Sequence, residues 1–110
     1  MAIKQEFNNF EQLISSSDLP VLVFFYAPLS GPDRLMDSAL KQVDNKLNQQ
    51  LRIAKVDSEK YADLASQYQV HALPTLLLFK HGQVVERIES EHIEDLISAE
   101  DLIQRLQPLL

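Results

Sequence analysis

Apolar and polar positions follow two different periods along this 110-residue chain. The run Val21–Tyr26 is apolar at every position, which is typical of a strand that is buried on both faces in the middle of a sheet. Shorter apolar runs around Ile53, at residues 75–79 and at residues 84–88 predict three further strands. The pattern therefore predicts a sheet whose last two strands form a hairpin.

Other apolar residues recur every three or four positions, which is the spacing of amphipathic helices. The clearest of these helices should begin near Pro32 and extend to Leu47. Asn9 is a candidate N-cap of an earlier helix, and Ser98 with Asp101 at the N3 position marks the start of the last one. The apolar positions that define the four helices are Phe10, Leu13 and Ile14, then Leu35, Met36, Ala39, Leu40, Val43 and Leu47, then Ala62, Leu64, Ala65 and Tyr68, and finally Leu102, Ile103 and Leu106.

The order of these elements predicts an α/β fold with a central mixed sheet and helices on both faces. The length fits a single domain over residues 1–110, which is large enough to bury its own core. Hydrophobic residues make up 45% of the chain and charged residues 24%, which is typical of a globular protein.

The formal net charge is −6, which disfavours nucleic acids and anionic membranes as partners. The first residues lack the pattern of a secretory signal, and no apolar run approaches transmembrane length. A cytoplasmic monomer without a cofactor is therefore expected. The chain has no cysteine, which excludes structural disulfides but does not require a reducing compartment.

Three sequence segments stand out within the predicted order of elements. They are Val-Leu-Val-Phe-Phe-Tyr-Ala at 21–27, Gly-Pro at 31–32 and Ala-Leu-Pro-Thr-Leu-Leu-Leu-Phe at 72–79. Together with the element order, these segments resemble the thioredoxin family over nearly the whole chain. The most specific of them contains Leu-Pro-Thr at residues 73–75, which is similar to the cis-proline loop of that family. The resemblance implies a thioredoxin-like fold in which this loop packs against the tetrapeptide that carries the redox cysteines.

The tetrapeptide Ser30-Gly31-Pro32-Asp33 stands where the family has Cys-Gly-Pro-Cys. Thiol-disulfide exchange needs one thiolate that attacks and another sulfur that leaves, and neither serine nor aspartate supplies these. The tetrapeptide is therefore a vestigial redox site, and no catalytic residue is expected in it. Asp33 should instead stabilise the first turn of the long helix.

The family usually has a buried aspartate beneath the cysteines, and Phe24 occupies that position here. Lys55 matches a lysine that the family commonly pairs with that acid, so Lys55 is predicted to be unpaired at this position. Because a buried unpaired ammonium is strongly disfavoured, its side chain should reach water or find another acid.

The face around the tetrapeptide is predicted to bind a protein partner. In the family, the loop after Ile88 borders this face, and here that loop is longer and acidic, from Glu89 to Ile97. A solvated loop is the preferred interpretation of the acidic residues, and recognition of a basic partner is the alternative. The candidate binding residues are Tyr26, Leu29, Val70, His71, Leu73, Pro74, Glu89 and Ser90.

The sequence therefore favours a redox-inactive protein that acts as an adaptor or chaperone-like binder. One alternative is a non-redox enzyme that uses Ser30, Asp33 and His71. Another is a protein assigned to redox homeostasis by its family alone, without chemistry of its own. No metal site is expected, because Asp33, His71 and His92 lack the close spacing of a dedicated site.

Overall fold

The computed structural model describes residues 10–27, 31–89 and 98–110, with the backbone alone described at residues 31–33. Four helices and four strands occur in these residues, in the order that the sequence predicts. They are α1 (Phe10–Ser16), β1 (Val21–Tyr26), α2 (Gly31–Leu47), β2 (Arg52–Asp57), α3 (Ala62–Gln67), β3 (Thr75–Lys80), β4 (Gln83–Glu89) and α4 (Ala99–Leu106), followed by a 3₁₀ turn at Gln107–Leu109.

The strands form one mixed sheet in the order β2-β1-β3-β4. β1 runs parallel to β2 and antiparallel to β3, and β3 forms an antiparallel hairpin with β4. The mixed sheet expected from the sequence is confirmed. Its register places Phe24 of β1 opposite Lys55 of β2 on one side and Leu76 of β3 on the other.

The core lies on both faces of the sheet, because successive side chains of β1 point to opposite faces. Leu22 and Phe24 belong to a cluster with α2 and α4, whereas Val23 and Phe25 belong to a cluster with α1 and α3. These β1 side chains are all buried, which explains why the run is apolar at every position. Helices on both faces of the sheet are likewise confirmed.

Local signals determine where several elements begin and end. Ser98 has extended backbone angles, and its Oγ accepts a hydrogen bond of 3.2 Å from the Asp101 N–H, as expected of the N-cap of α4. His81 and Gly82 both have positive φ angles, 53° and 83°, which suit the two-residue turn between β3 and β4. The predicted cap Asn9 lies outside the described residues.

The segment that leads into β3 contains a cis peptide bond between Leu73 and Pro74. The Thr75 hydroxyl donates a hydrogen bond to the Ala72 carbonyl across this proline. Pro74 and Thr75 are buried.

No helix in the part of the chain that the structure describes has both the length and the apolar character needed to cross a membrane.

Candidate functional site

Most of the described candidate residues lie at one edge of the sheet, where β1, β2 and β4 end and β3 begins. β1 ends at Tyr26 and β2 at Asp57, which are opposite each other in the parallel register. Thr75, which follows Pro74, pairs with Phe25 on one side and with Glu89 on the other. The end of β1, the cis-proline segment and the end of β4 therefore meet at the same edge.

Part of the predicted vestigial redox site and of its predicted binding surface lies outside the described residues. This applies to Leu29, Ser30 and Ser90, and to the side chains of Pro32 and Asp33. Gly31 is the first residue of α2, so the helix begins within the tetrapeptide. The predicted role of Asp33 in the first turn and the predicted patch joining Leu29 to Leu73 stay predictions.

The interior beneath this edge is apolar at the position of the family's buried acid. The Phe24 side chain is 1% exposed and belongs to the cluster formed with α2 and α4. Its ring lies 5.4 Å from the ring of Tyr26, centroid to centroid, in a tilted arrangement. Tyr26 is half-buried and packs against the same cluster.

Lys55 is not unpaired, so that prediction is wrong, while the expectation that it would find another acid is confirmed. Its Nζ lies 2.9 Å from Oδ1 of Asp37, which belongs to α2. The same Nζ lies 4.9 Å from the centroid of the Tyr26 ring. The Lys55 side chain is only 17% exposed, so both the carboxylate and the aromatic ring stabilise a partly buried ammonium.

Asp37 is a residue that the sequence pattern does not mark as part of the site. It also lies 3.8 Å from Nζ of Lys41, one helical turn further along α2. The spacing of Asp37 and Lys41 is visible in the sequence and predicts that helical pair. Nothing in the sequence predicts the shorter contact with Lys55, because it joins a helix to a strand.

The loop at residues 70–74 is only partly open to solvent. His71 is exposed, whereas Val70 and Leu73 are half-buried and pack against the cluster beneath α1 and α3. Pro74 is buried. In the described part of the candidate surface, His71 is therefore the exposed residue of the loop, while its apolar neighbours are half-buried or buried.

Arg87 of β4 contacts the two residues that precede this loop. Its Nη1 donates a hydrogen bond of 2.8 Å to the carbonyl of Tyr68, and its Nη2 donates to the carbonyl of Gln69. Its Nε donates to the carboxylate of Glu89. In the sequence Arg87 stands out only as a cation in an acidic stretch, since carbonyl acceptors have no sequence signature.

A second ion pair connects β4 to α4. Nε of Arg105 donates a hydrogen bond of 3.0 Å to Oε2 of Glu86. This hydrogen bond lowers the pKa of Glu86 more than partial burial raises it. The pair lies on the face opposite to Arg87, as expected for neighbouring residues of a strand.

The structure gives no geometry for a serine nucleophile, because Ser30 and the side chain of Asp33 lie outside the described residues. His92, considered as a metal ligand, also lies outside them. Among the residues that are described, no three histidine, aspartate or glutamate side chains are close enough together to hold a metal ion.

The chain is similar to proteins of one family. The family model described as Thioredoxin matches residues 2–106. A thioredoxin-like protein of Synechocystis sp. is 46% identical over 107 residues, which cover 97% of each chain. Thioredoxin Y2, chloroplastic, of Arabidopsis thaliana is 42% identical over 106 residues, which cover 96% of this chain and 60% of the relative. Thioredoxin 1 of a Nostoc species is 35% identical over 74% of this chain and 76% of the relative.

Proposed function

Since this chain belongs to the thioredoxin family and has no cysteine, we propose that it is a redox-inactive member that binds a protein partner. The proposed binding face is the edge formed by the end of β1, the start of α2 and the loop at residues 70–74. The role is that of an adaptor or chaperone-like module without disulfide reductase activity.

The rebuilt interior beneath the tetrapeptide is the observation that carries this proposal. Loss of the two thiols alone leaves a buried acid and its lysine in place. Here the acid position holds Phe24, which is 1% exposed, and Lys55 pairs with Asp37 instead. The Phe24 ring packs in the core, and the Lys55 ammonium is paired with the Asp37 carboxylate. This well-packed interior supports the proposal that the site retains its shape and not its chemistry.

The chemistry of the tetrapeptide supports the redox-inactive part of the proposal. Reduction of a disulfide requires a thiolate nucleophile, and a serine hydroxyl does not ionise near neutral pH. The chain of 110 residues contains no cysteine that could substitute. An oxidoreductase mechanism based on its own side chains therefore lacks both of its sulfur atoms.

The retained edge supports the binding part of the proposal. The loop keeps its Leu-Pro-Thr sequence and the register that places it beside β1. His71 of this loop is exposed, and Leu73 and Tyr26 are half-buried. A mixed surface of exposed polar and half-buried apolar groups fits a protein partner, since protein interfaces combine an apolar centre with a polar rim.

Affinity capture with matched variants tests the binding face. The chain is immobilised and exposed to an extract of its source organism, and retained proteins are quantified by mass spectrometry. The variants His71→Glu and Leu29→Asp should each reduce the amount of the specific partner that is retained at least about fivefold. This corresponds to a loss of binding free energy of roughly 1 kcal/mol at a contact residue.

Val84→Asp is the matched control, because Val84 is an apolar residue that is 43% exposed near the hairpin turn, at the other end of β4. This control should retain the partner fully. Leu73→Asp is informative only where its melting temperature matches that of the unmodified chain, since Leu73 also packs against the core. Identical partner profiles for all variants contradict the proposed face.

The proposed compartment is the cytoplasm, as the sequence predicts. Relatives whose names include the word chloroplastic make a plastid the alternative for this chain. A monomeric state and the absence of nucleic-acid or membrane partners also stay predictions, which the acidic net charge of −6 supports.

A further inference from the structure

Helix α3 ends in a geometry that usually requires glycine. The Val70 N–H donates to the Ala65 carbonyl at 2.9 Å, and the Gln69 N–H donates to the Ser66 carbonyl at 3.0 Å. This pair of hydrogen bonds is the Schellman motif, in which the residue after the cap adopts the left-handed conformation. That residue is Gln69, with φ of 56°.

A glutamine in the left-handed region is less stable than a glycine, because its Cβ crowds the backbone. The surrounding structure must therefore stabilise Gln69 in this conformation. Tyr68 contributes through its ring, which lies 5.8 Å from the ring of Phe10 and 5.3 Å from that of Phe79. The partly buried side chain of the cap residue thus packs against the core, while the Gln69 side chain is exposed.

Arg87 supplies the second restraint, on the backbone itself. Its two terminal nitrogens donate to the carbonyls of Tyr68 and Gln69, which the Schellman hydrogen bonds leave without partners inside the helix. A cation at this end of a helix is also favoured by the helix dipole. The third contact, from Nε to Glu89, orients the guanidinium in its plane.

These contacts join two parts of the candidate surface that are distant in sequence. Val70 is the first residue of the loop that carries His71 and Leu73, and Glu89 is the last described residue before the acidic segment. One guanidinium group contacts both Gln69, the residue that immediately precedes this loop, and Glu89.

We propose that Arg87 is a positioning residue, which holds the end of α3 and the loop at residues 70–74 in place and couples that loop to Glu89. This inference rests on the proposed function, because the position of the loop matters only if the loop contacts a partner. Its test nevertheless uses the free protein, so that it is independent of whether a partner is found.

Amide hydrogen exchange of the ¹⁵N-labelled chain, followed by NMR, tests the restraint. In Arg87→Gln the Gln69 and Val70 amides should exchange about tenfold faster, because local opening of the Schellman motif no longer has to break two charge-assisted hydrogen bonds. The amides of Val23 and Leu77 in the centre of the sheet should keep their exchange rates. Arg87→Lys should restore only part of the protection, since an ammonium lacks the planar arrangement of donors.

Arg105→Gln is the matched control. Arg105 is also an arginine that contacts β4, but it donates to Glu86 and to the Arg87 carbonyl and not to the loop. This variant should leave the Gln69 and Val70 amides within about twofold of the unmodified chain. A uniform acceleration of all amides in Arg87→Gln indicates a loss of global stability alone and contradicts a positioning role.

The coupling has its own test in Glu89→Gln, which keeps the shape of the side chain and removes its charge. The backbone amide signals of Gln69 and Val70, and the Nε–H signal of Arg87, should shift together in this variant. Shifts confined to residues next to position 89 overturn the coupling. Failure of affinity capture, by contrast, overturns the proposed function and leaves these NMR results unaffected.

Discussion

At position 24, the side chain determines what the interior beneath the tetrapeptide can do. An acid there can exchange protons with groups at the surface, whereas the ring of Phe24 packs in an apolar cluster with residues such as Met36 and Leu40. Burying a side chain of this size contributes about 2 to 3 kcal/mol to folding. The residue thus stabilises the fold at a position where the family keeps a reactive group.

Returning an acid to this position should be costly. Phe24→Asp is expected to lower the free energy of unfolding by about 4 kcal/mol or more, because it creates a cavity and buries a carboxylate while Lys55 is already paired. Phe24→Leu, the apolar control, should lose about 1 kcal/mol. Urea unfolding measures both, and a Phe24→Asp variant as stable as Phe24→Leu contradicts the apolar interior described here.

The pair of Lys55 and Asp37 should be energetically coupled. A double-mutant cycle with Lys55→Met and Asp37→Asn is expected to give a coupling energy of about 1.5 kcal/mol, between the values for exposed and buried pairs. The same cycle with Lys41→Met should give about 0.3 kcal/mol, because Lys41 is 70% exposed and 3.8 Å from Asp37. Equal coupling energies in the two cycles would show that Asp37 does not prefer Lys55.

Among the secondary-structure elements, β4 is connected by its charged side chains to helices on both faces of the sheet. Glu86 contacts Arg105 of α4 on one face, and Arg87 contacts the end of α3 on the other. β4 is an edge strand among the described residues, so these contacts add to the hydrogen bonds of a single neighbouring strand. They stabilise the element that leads into the acidic segment.

The contact between β4 and α4 predicts a dependence of stability on pH. The Arg105 hydrogen bond places the folded-state pKa of Glu86 below its ordinary value of 4.5. A lowered folded pKa adds stability that is present above the unfolded pKa and is lost as the pH falls through the folded pKa. Because both side chains are partly exposed, the contribution near neutral pH should be only about 0.5 kcal/mol.

Urea unfolding of Glu86→Gln and the unmodified chain, from about pH 7 to about pH 3, measures this contribution. The difference between the two proteins should be largest near neutral pH and should shrink on acidification. Glu59→Gln is the control, since Glu59 is exposed, and it should follow the unmodified chain. A Glu86→Gln difference that grows as the pH falls has the wrong sign and contradicts the assigned pKa direction.

For the molecule as a whole, the sequence predicts the helices, strands and caps that neighbouring residues determine. It does not predict the side-chain contacts between residues that are distant in sequence. The strand Val21–Tyr26 and the cap at Ser98 are each determined by a few adjacent side chains, so their patterns are visible. The contact of Lys55 with Asp37 depends on how α2 is rotated over the sheet. The contacts of Arg87 use backbone carbonyls, which every residue has.

The family membership concerns the whole molecule, since the similarity to the Synechocystis protein extends over 97% of the chain. The fold therefore persists although Ser30 and Asp33 occupy the positions of the cysteines. The stability of the fold depends on the two apolar clusters. Thiol-disulfide exchange, by contrast, depends on two sulfur atoms that the fold does not need.

Reduction of insulin disulfides in the presence of dithiothreitol tests the redox-inactive site most directly. The unmodified chain should not accelerate precipitation of the insulin B chain above the dithiothreitol background. Ser30→Cys/Asp33→Cys, which restores two thiols at the start of α2 where the helix terminus lowers a thiol pKa, should accelerate it. A cysteine-containing thioredoxin serves as the positive control, and acceleration by the unmodified chain contradicts the proposed loss of redox chemistry.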